Sequence, residues 1–113
     1  MTQGIWKIKK TITVSGAHRL ELPYDSPCKN LHGHNWKITV SCRSEILNDA
    51  GMIIDFTHIK KIANELLDHQ EINLPGGKNP TAENICKVLQ EKIPFCYRVD
   101  VEETEGSVAS YEI

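Results

Sequence analysis

Two stretches of the chain alternate between apolar and polar residues, which is the pattern of a β-strand with one buried face. They cover residues 5–15 and 34–43. Because side chains two residues apart share a face of a strand, a hairpin of these strands would place both apolar rows on one side. From Trp6 onward the apolar positions carry even numbers, and only Lys10 breaks the row: Trp6, Ile8, Ile12 and Val14 in the first stretch, and Trp36, Ile38, Val40 and Cys42 in the second.

Three histidines, His18, His32 and His34, continue the same even rows at one end of the predicted hairpin. Residues 19–31 would connect the strands, and Gly33 leaves room for a close backbone approach. Three neutral imidazoles without a fourth protein ligand are the ligand set of a catalytic zinc site with an open position. The sequence therefore predicts Zn²⁺ here, although nickel, copper or iron would accept the same ligands.

Cys28 precedes the last two histidines closely enough to lie beside the same ion. A thiol in that position is a candidate base or nucleophile. It could instead complete a closed structural site of one cysteine and three histidines. The spacing leaves both interpretations open.

Size, charge and cysteine usage exclude several classes of protein. The 113 residues predict a single domain spanning 1–113. A formal net charge of −2 gives no attraction to nucleic acid or to a membrane surface, and no apolar run is long enough to span a membrane. The first residues form a strand pattern, so no secretory signal is expected. Cys42 and Cys86 fall at packing positions and Cys28 at the site, while the pattern assigns no role to Cys96. This placement favours reduced thiols and a cytoplasmic location over disulfides.

The rest of the chain predicts two helices and a second hairpin. Asp55 can cap the first helix, and Thr81 can cap the second, with Glu83 in its first turn. Residues 97–104 and 108–113 predict the closing hairpin. The order ββααββ indicates an α+β fold, a four-stranded antiparallel sheet with two helices on one face. Such a sheet has two open edges, so we expect chains to associate into a closed barrel.

Asp68, His69 and Glu103 are further candidates for chemistry. A carboxylate beside His69 can set its tautomer and raise its basicity, although a solvated pair at a helix C-terminus is the simpler interpretation. Glu103 has the parity of Val99 and Val101, so it should face inward, where a carboxylate needs a partner. A nitrogen-rich ring with two adjacent N–H donors would suit it, and the alternative is a hydrogen bond to the backbone.

Several of these residues stand in short motifs, which are Gly16-Ala-His-Arg-Leu20, Cys28-x-x-x-His-Gly-His34, Asp55-Phe56, Leu67-Asp-His69, Asn79-Pro-Thr-Ala-Glu-Asn84 and Glu103-Thr104. Taken in order, they are similar to those of the 6-pyruvoyl-tetrahydropterin synthase family, which includes 6-carboxy-tetrahydropterin synthases of bacteria and archaea. The chain departs from the family pattern in its Val14-Ser-Gly-Ala17 lead-in and at Ala82. Cys28 argues against the branch that replaces this cysteine with glutamate.

The resemblance implies a fold and a set of roles. The fold is the tunnelling fold, in which trimers build a twelve-stranded barrel and two trimers stack into a homohexamer. By this resemblance, zinc would be bound by His18, His32 and His34, and Cys28 would accept a proton, with His69 and Asp68 as its relay. Glu103 would anchor the pterin ring. Thr81 and Glu83 of a neighbouring subunit would complete the pocket.

The resemblance also implies an activity on a small pterin. We expect a zinc-dependent lyase that converts 7,8-dihydroneopterin triphosphate to 6-carboxy-5,6,7,8-tetrahydropterin, releasing acetaldehyde and triphosphate, as in queuosine-type (7-deazaguanine) biosynthesis. Only thirteen residues separate His18 from His32, which resembles the compact microbial enzymes of this kind. The alternatives are 6-pyruvoyl-tetrahydropterin synthase activity on the same substrate and a non-catalytic zinc protein with a closed Cys-His₃ site.

Overall fold

The computed structural model describes residues 3–113, which form a five-stranded sheet and two α-helices. Short 3₁₀ turns at Pro27–Lys29 and Pro75–Gly77 interrupt the connections. The elements are β1 (Trp6–His18), β2 (His32–Ser44), α1 (Phe56–Leu67), β3 (Gln70–Glu71), α2 (Ala82–Lys92), β4 (Cys96–Thr104) and β5 (Ser107–Glu112). The strands lie in the order β3-β1-β2-β4-β5, and the α+β class is confirmed.

The hairpin of β1 and β2 keeps one register along its whole length. Trp6 faces Ser44 at one end and His18 faces His32 at the other, so even positions pair with even positions. The even row is buried from Ile12 to His18 in β1 and from Trp36 to Cys42 in β2, as the alternation predicts. Both strands are longer than predicted: β1 continues through His18, and β2 begins at His32 instead of His34.

A fifth strand, β3, extends the four-stranded antiparallel sheet that the sequence predicts. It pairs in parallel with Gly16 and Ala17 of β1. Two backbone hydrogen bonds fix it, one from His69 N–H to the Ser15 carbonyl (2.6 Å) and one from Ile72 N–H to the Ala17 carbonyl (2.7 Å). A strand of two residues has no alternation to detect, so only the tertiary contact reveals it.

Both helices begin at the predicted caps. The Asp55 carboxylate accepts a hydrogen bond from the Thr57 N–H (2.8 Å), and the Thr81 hydroxyl accepts one from the Asn84 N–H (3.1 Å). α1 packs against β1, and α2 packs against β4 and β5. Within residues 3–113, neither helix is both long and apolar enough to cross a membrane. The buried helical residues that join the sheet in one core are Ile59, Ala63, Leu67, Ile85, Cys86, Val88 and Leu89.

The two edges of the sheet stay largely open. β3 covers only Gly16 and Ala17, so the outer edge of β1 over residues 6–15 has no strand partner in the described part of the chain. β5 forms the opposite edge. Open edges of this length are usually paired or covered in native proteins.

Gly16 lies where the end of α1 passes closest to β1, directly below the histidines. A Cβ at this position would come within 2.5 Å of the Leu67 carbonyl oxygen and 3.1 Å of the Ile72 side chain. Its carbonyl also accepts a hydrogen bond from the Trp36 indole N–H (3.0 Å). Only a glycine allows this approach of α1 to the sheet.

We therefore expect Gly16→Ala to lower the free energy of unfolding by about 1–3 kcal/mol, the usual cost of forcing an extra carbon into a packed site. Urea denaturation measures the difference. Gly33→Ala is the matched control, since a Cβ there would meet its nearest atom at 3.8 Å. Equal stability of the two variants would show that α1 is not held against β1 as described.

Candidate metal centre

The three predicted histidines meet at one end of the β1–β2 hairpin. His18 and His32 are directly opposite each other, and His34 follows on the same face of β2. The ring centroids are 4.5 Å apart for His18 and His32, 4.9 Å for His32 and His34, and 5.2 Å for His18 and His34. His18 is fully buried, and the other two are partly exposed. The cluster is thus reachable from one side.

Backbone carbonyls fix the tautomer of two of these rings. The Nδ1 of His18 lies 2.7 Å from the Pro80 carbonyl oxygen, and the Nδ1 of His32 lies 2.6 Å from that of Asn30. A carbonyl can only accept, so each Nδ1 carries the hydrogen and each Nε2 keeps its lone pair. This is the outer-shell arrangement that orients metal-binding histidines.

The segment that supplies the Pro80 carbonyl is itself braced. The Asn79 amide exchanges two hydrogen bonds with the Glu21 backbone (2.9 and 3.0 Å), and the Asn84 amide donates to the Asn79 carbonyl (2.9 Å). Thr81, predicted to line a pocket, uses its hydroxyl as the cap of α2, and Glu83 lies exposed in the first turn. The Asn-Pro-Thr-x-Glu-Asn motif therefore holds His18 in place, a role that the sequence did not indicate.

Glu103 reaches into the histidine cluster from β4, as its parity predicts. Its Oε1 lies 3.0 Å from the Nε2 of His18 and 3.3 Å from the Nε2 of His34. Both nitrogens are buried and have no hydrogen-bond partner within residues 3–113.

One ligand atom from each of the three histidines and from Glu103 lies within 4.8 Å of the others. Ligands at zinc bond lengths in a tetrahedron are about 3.3 Å apart, so these donors fit an ion with three or four protein ligands.

The charge state of His34 suits metal binding. Burial lowers the pKa of His34 below its ordinary value; the Glu103 carboxylate opposes this by raising it, and His18 and His32 lower it further. The net lowering favours the neutral imidazole near pH 7, which is the form that binds metals.

Trp36 forms the floor of the cluster. Its ring contacts those of His18 and His34 edge-on, with centroids 4.8 and 5.1 Å away, and its indole N–H is bound to the Gly16 carbonyl. The rings therefore rest on a rigid, fully buried side chain. The even row of β2 puts Trp36 next to His34 on one face, although the alternation by itself indicates only a core residue there.

Cys28 stands apart from the cluster. It lies in the 3₁₀ turn Pro27–Lys29, partly buried, where its N–H donates to the Ser26 hydroxyl (3.2 Å) and its carbonyl accepts from the Leu20 N–H (2.8 Å). Among the described residues, the group of donors that could share one ion does not include its sulfur. The geometry therefore favours an open site with a separate thiol over the closed Cys-His₃ set.

Asp68 and His69 also lie outside the cluster. Asp68 accepts a hydrogen bond from the Ser15 N–H (2.9 Å), and the His69 Nε2 is 3.6 Å from Asp68 Oδ2. The His69 side chain is 81% exposed and its φ is 54°, a left-handed conformation that turns the chain from α1 into β3. The pair is thus tied to β1, but nothing within the described chain brings its imidazole to the metal-binding nitrogens.

Comparison with known proteins settles the relationship. The family model for 6-pyruvoyl tetrahydropterin synthase matches residues 7–113. The chain belongs to this family. The enzyme class that the motifs implied is thereby confirmed at the level of the family.

Individual relatives agree with this assignment. The 6-carboxy-5,6,7,8-tetrahydropterin synthase of Synechocystis sp. is 31% identical over 121 aligned positions, which cover 95% of this chain and 93% of that protein. A Pyrococcus horikoshii protein is 48% identical over 66 residues, although these are 58% of this chain and only 41% of the relative. The Caenorhabditis elegans 6-pyruvoyl tetrahydropterin synthase superposes with a TM-score of 0.76 at 25% identity, covering 100% of this chain and 99% of that one.

The separation of Cys28 from the cluster gives a direct test of the ligand set. We expect Cys28→Ala to keep about one metal ion per chain, and His32→Ala to lose most of it, because only the imidazoles converge. Metal analysis of the purified proteins by mass spectrometry measures both. Loss of the metal from Cys28→Ala would establish the closed site instead.

Proposed function

We propose that this protein is a zinc-dependent lyase that converts 7,8-dihydroneopterin triphosphate to 6-carboxy-5,6,7,8-tetrahydropterin. The observation that carries the proposal is the convergence of three imidazoles in a chain of this family, with the Cys28 thiol outside that group. In two of the three rings, a backbone carbonyl binds Nδ1 and leaves Nε2 to accept a metal. Atom balance requires one water in addition to the substrate, and the other products are acetaldehyde and triphosphate. The queuosine-type pathway is the proposed setting.

His18, His32 and His34 would hold the zinc, which when bound supplies Lewis acidity to the hydroxyls of the substrate side chain. The Cys28 thiolate would remove a carbon-bound proton next to those hydroxyls. The Glu103 carboxylate would accept two N–H groups of the pterin ring. To do so it must turn away from the His18 and His34 nitrogens that it approaches at 3.0 and 3.3 Å.

His69 and Asp68 would relay the proton taken by Cys28. The exposed imidazole of His69 cannot do this from its own described position, so we propose that it serves a site shared between subunits. Thr81 and Glu83 would approach the same pocket from a neighbouring subunit. This makes the proposed activity depend on assembly.

Assembly is supported by the edges of the sheet. The outer edge of β1 over residues 6–15 and the edge strand β5 are both available to another chain, and joining them would close a barrel. We propose a trimeric barrel and a homohexamer of two such trimers. The single domain would span residues 1–113. Its four cysteines are free, which suits the proposed cytoplasmic location.

The second candidate is the sister activity, which would make 6-pyruvoyl-tetrahydropterin from the same substrate. The name of the C. elegans structural neighbour favours it. Both activities begin with the same diol and the same base, so the acid–base residues do not distinguish them. Only the fate of the side chain does.

Product analysis separates the two candidates. Incubation with 7,8-dihydroneopterin triphosphate should release triphosphate and acetaldehyde together and leave a pterin with one carboxyl carbon at position 6. Mass spectrometry of the pterin and a coupled acetaldehyde assay measure this. Triphosphate without acetaldehyde, with the three-carbon side chain retained, would identify the sister activity; no turnover at all would favour a non-catalytic zinc protein.

His69→Ala should slow turnover about 10²-fold or more, the usual effect of losing an acid–base group, while the metal content stays unchanged. Steady-state kinetics and metal analysis test the two parts. His58→Ala is the matched control, since His58 is exposed in the first turn of α1. Wild-type turnover in His69→Ala would return Asp68 and His69 to a purely structural role.

Light scattering after size exclusion should give a mass of six times 12.8 kDa, or at least three times that value, at micromolar concentration. The reason is that a single chain leaves two sheet edges open. A monodisperse species of 12.8 kDa would exclude both the barrel and the shared site.

A further inference from the structure

A pocket of about 630 Å³ lies next to the metal centre and has no role in the chemistry described so far. Its walls come from the segment after β1, from the 3₁₀ turn that carries Cys28, and from the segment between β3 and α2. It shares Pro80 with the centre, since the Pro80 carbonyl orients His18. Arg19 and Lys29, which line it, directly follow His18 and Cys28.

Three cations line this pocket, Arg19, Lys29 and Lys78, together with two carboxylates, Glu21 and Glu71. The lining therefore has a small positive excess. The cations come from three separate segments of the chain, so an anion that spans several of them gains more contacts than a compact one.

The existing partners of these cations are weak. Arg19 binds Glu71 through Nε (3.0 Å), but both side chains are substantially exposed (58% and 42%), so water screens the pair and the two terminal nitrogens remain for another acceptor. The Lys29 ammonium is 3.8 Å from the exposed Asp25. Lys78 forms no ion pair with any of residues 3–113.

We propose that the Arg19–Lys29–Lys78 pocket binds a linear polyphosphate, the triphosphate tail of the substrate. Phosphate oxygens accept charge-assisted hydrogen bonds from guanidinium and ammonium groups, and a chain of three phosphates can reach cations on different segments. The carboxylates of Glu21 and Glu71 repel anions, so a small anion that contacts only one of the cations gains little net attraction.

The location fits the order of groups along that substrate. This step rests on the proposed function: the side-chain hydroxyls would lie at the histidines, with the ring toward Glu103 and the tail beyond the hydroxyls. The cations after His18 and Cys28 are then placed to receive the phosphates and to stabilise the charge of the triphosphate as it leaves. Lys29 and Lys78 become residues that determine specificity for the triphosphate.

Inorganic tripolyphosphate tests the pocket without any turnover. Equilibrium dialysis at low salt compares the wild-type protein with Lys29→Gln and Lys78→Gln, and with Lys61→Gln as a control of equal charge change on the exposed face of α1. Because tripolyphosphate chelates metals, the wild-type protein is also measured after its metal has been removed. We expect Lys29→Gln and Lys78→Gln each to bind tripolyphosphate about three- to tenfold more weakly than the wild-type protein. Lys61→Gln and the metal-free protein should bind it with wild-type affinity.

Wild-type affinity for tripolyphosphate in both pocket variants would overturn the proposal. Loss of tripolyphosphate binding on metal removal would also overturn it, because the anion would then bind the metal and not the pocket. Turnover gives an independent measurement: in Lys78→Gln, KM for 7,8-dihydroneopterin triphosphate should rise by the same factor that weakens tripolyphosphate binding. If the protein binds tripolyphosphate as expected but does not turn over this substrate, the proposed function fails and the polyphosphate pocket stands.

Discussion

The antiparallel register of β1 and β2 determines the rest of the structure. It pairs His18 with His32 and puts His34 on the same face, so three imidazoles meet without any contribution from a distant loop. A slip of one residue would send one strand's histidines to the opposite face. The register is held by the buried even rows and by the Trp36 indole bound to the Gly16 carbonyl, which links the core directly to the floor of the site.

Most of this was readable from the sequence because a strand repeats every two residues. Counting parity from Trp36 and from Val14 places the histidines on one face, and the same counting along β4 turns Glu103 inward from Val101. Helical spacing and capping residues placed α1 and α2 for the same reason: the signal is local and periodic. The metal-binding nitrogens are therefore the part of the site that sequence predicts best.

Contacts between distant segments could not be predicted in this way. The two-residue strand β3 exists only because the backbone of residues 69–72 meets β1. The Pro80 and Asn30 carbonyls that set two tautomers are backbone atoms, which leave no chemical signal in a sequence. The parity of Glu103 gave its face but not its approach to the histidines. The motif around Thr81 gave the helix cap but not the hydrogen bonds by which its neighbours Asn79 and Asn84 brace the carbonyl that orients His18.

The central claim is that three imidazoles hold the metal and that Cys28 stays free to act. X-ray absorption at the zinc edge of the loaded protein tests it most directly, because sulfur and nitrogen scatter differently at different distances. For an open site we expect nitrogen or oxygen neighbours at about 2.0–2.1 Å, three of them imidazoles, and no sulfur. A sulfur neighbour at about 2.3 Å would show that Cys28 is a ligand and would contradict the open site.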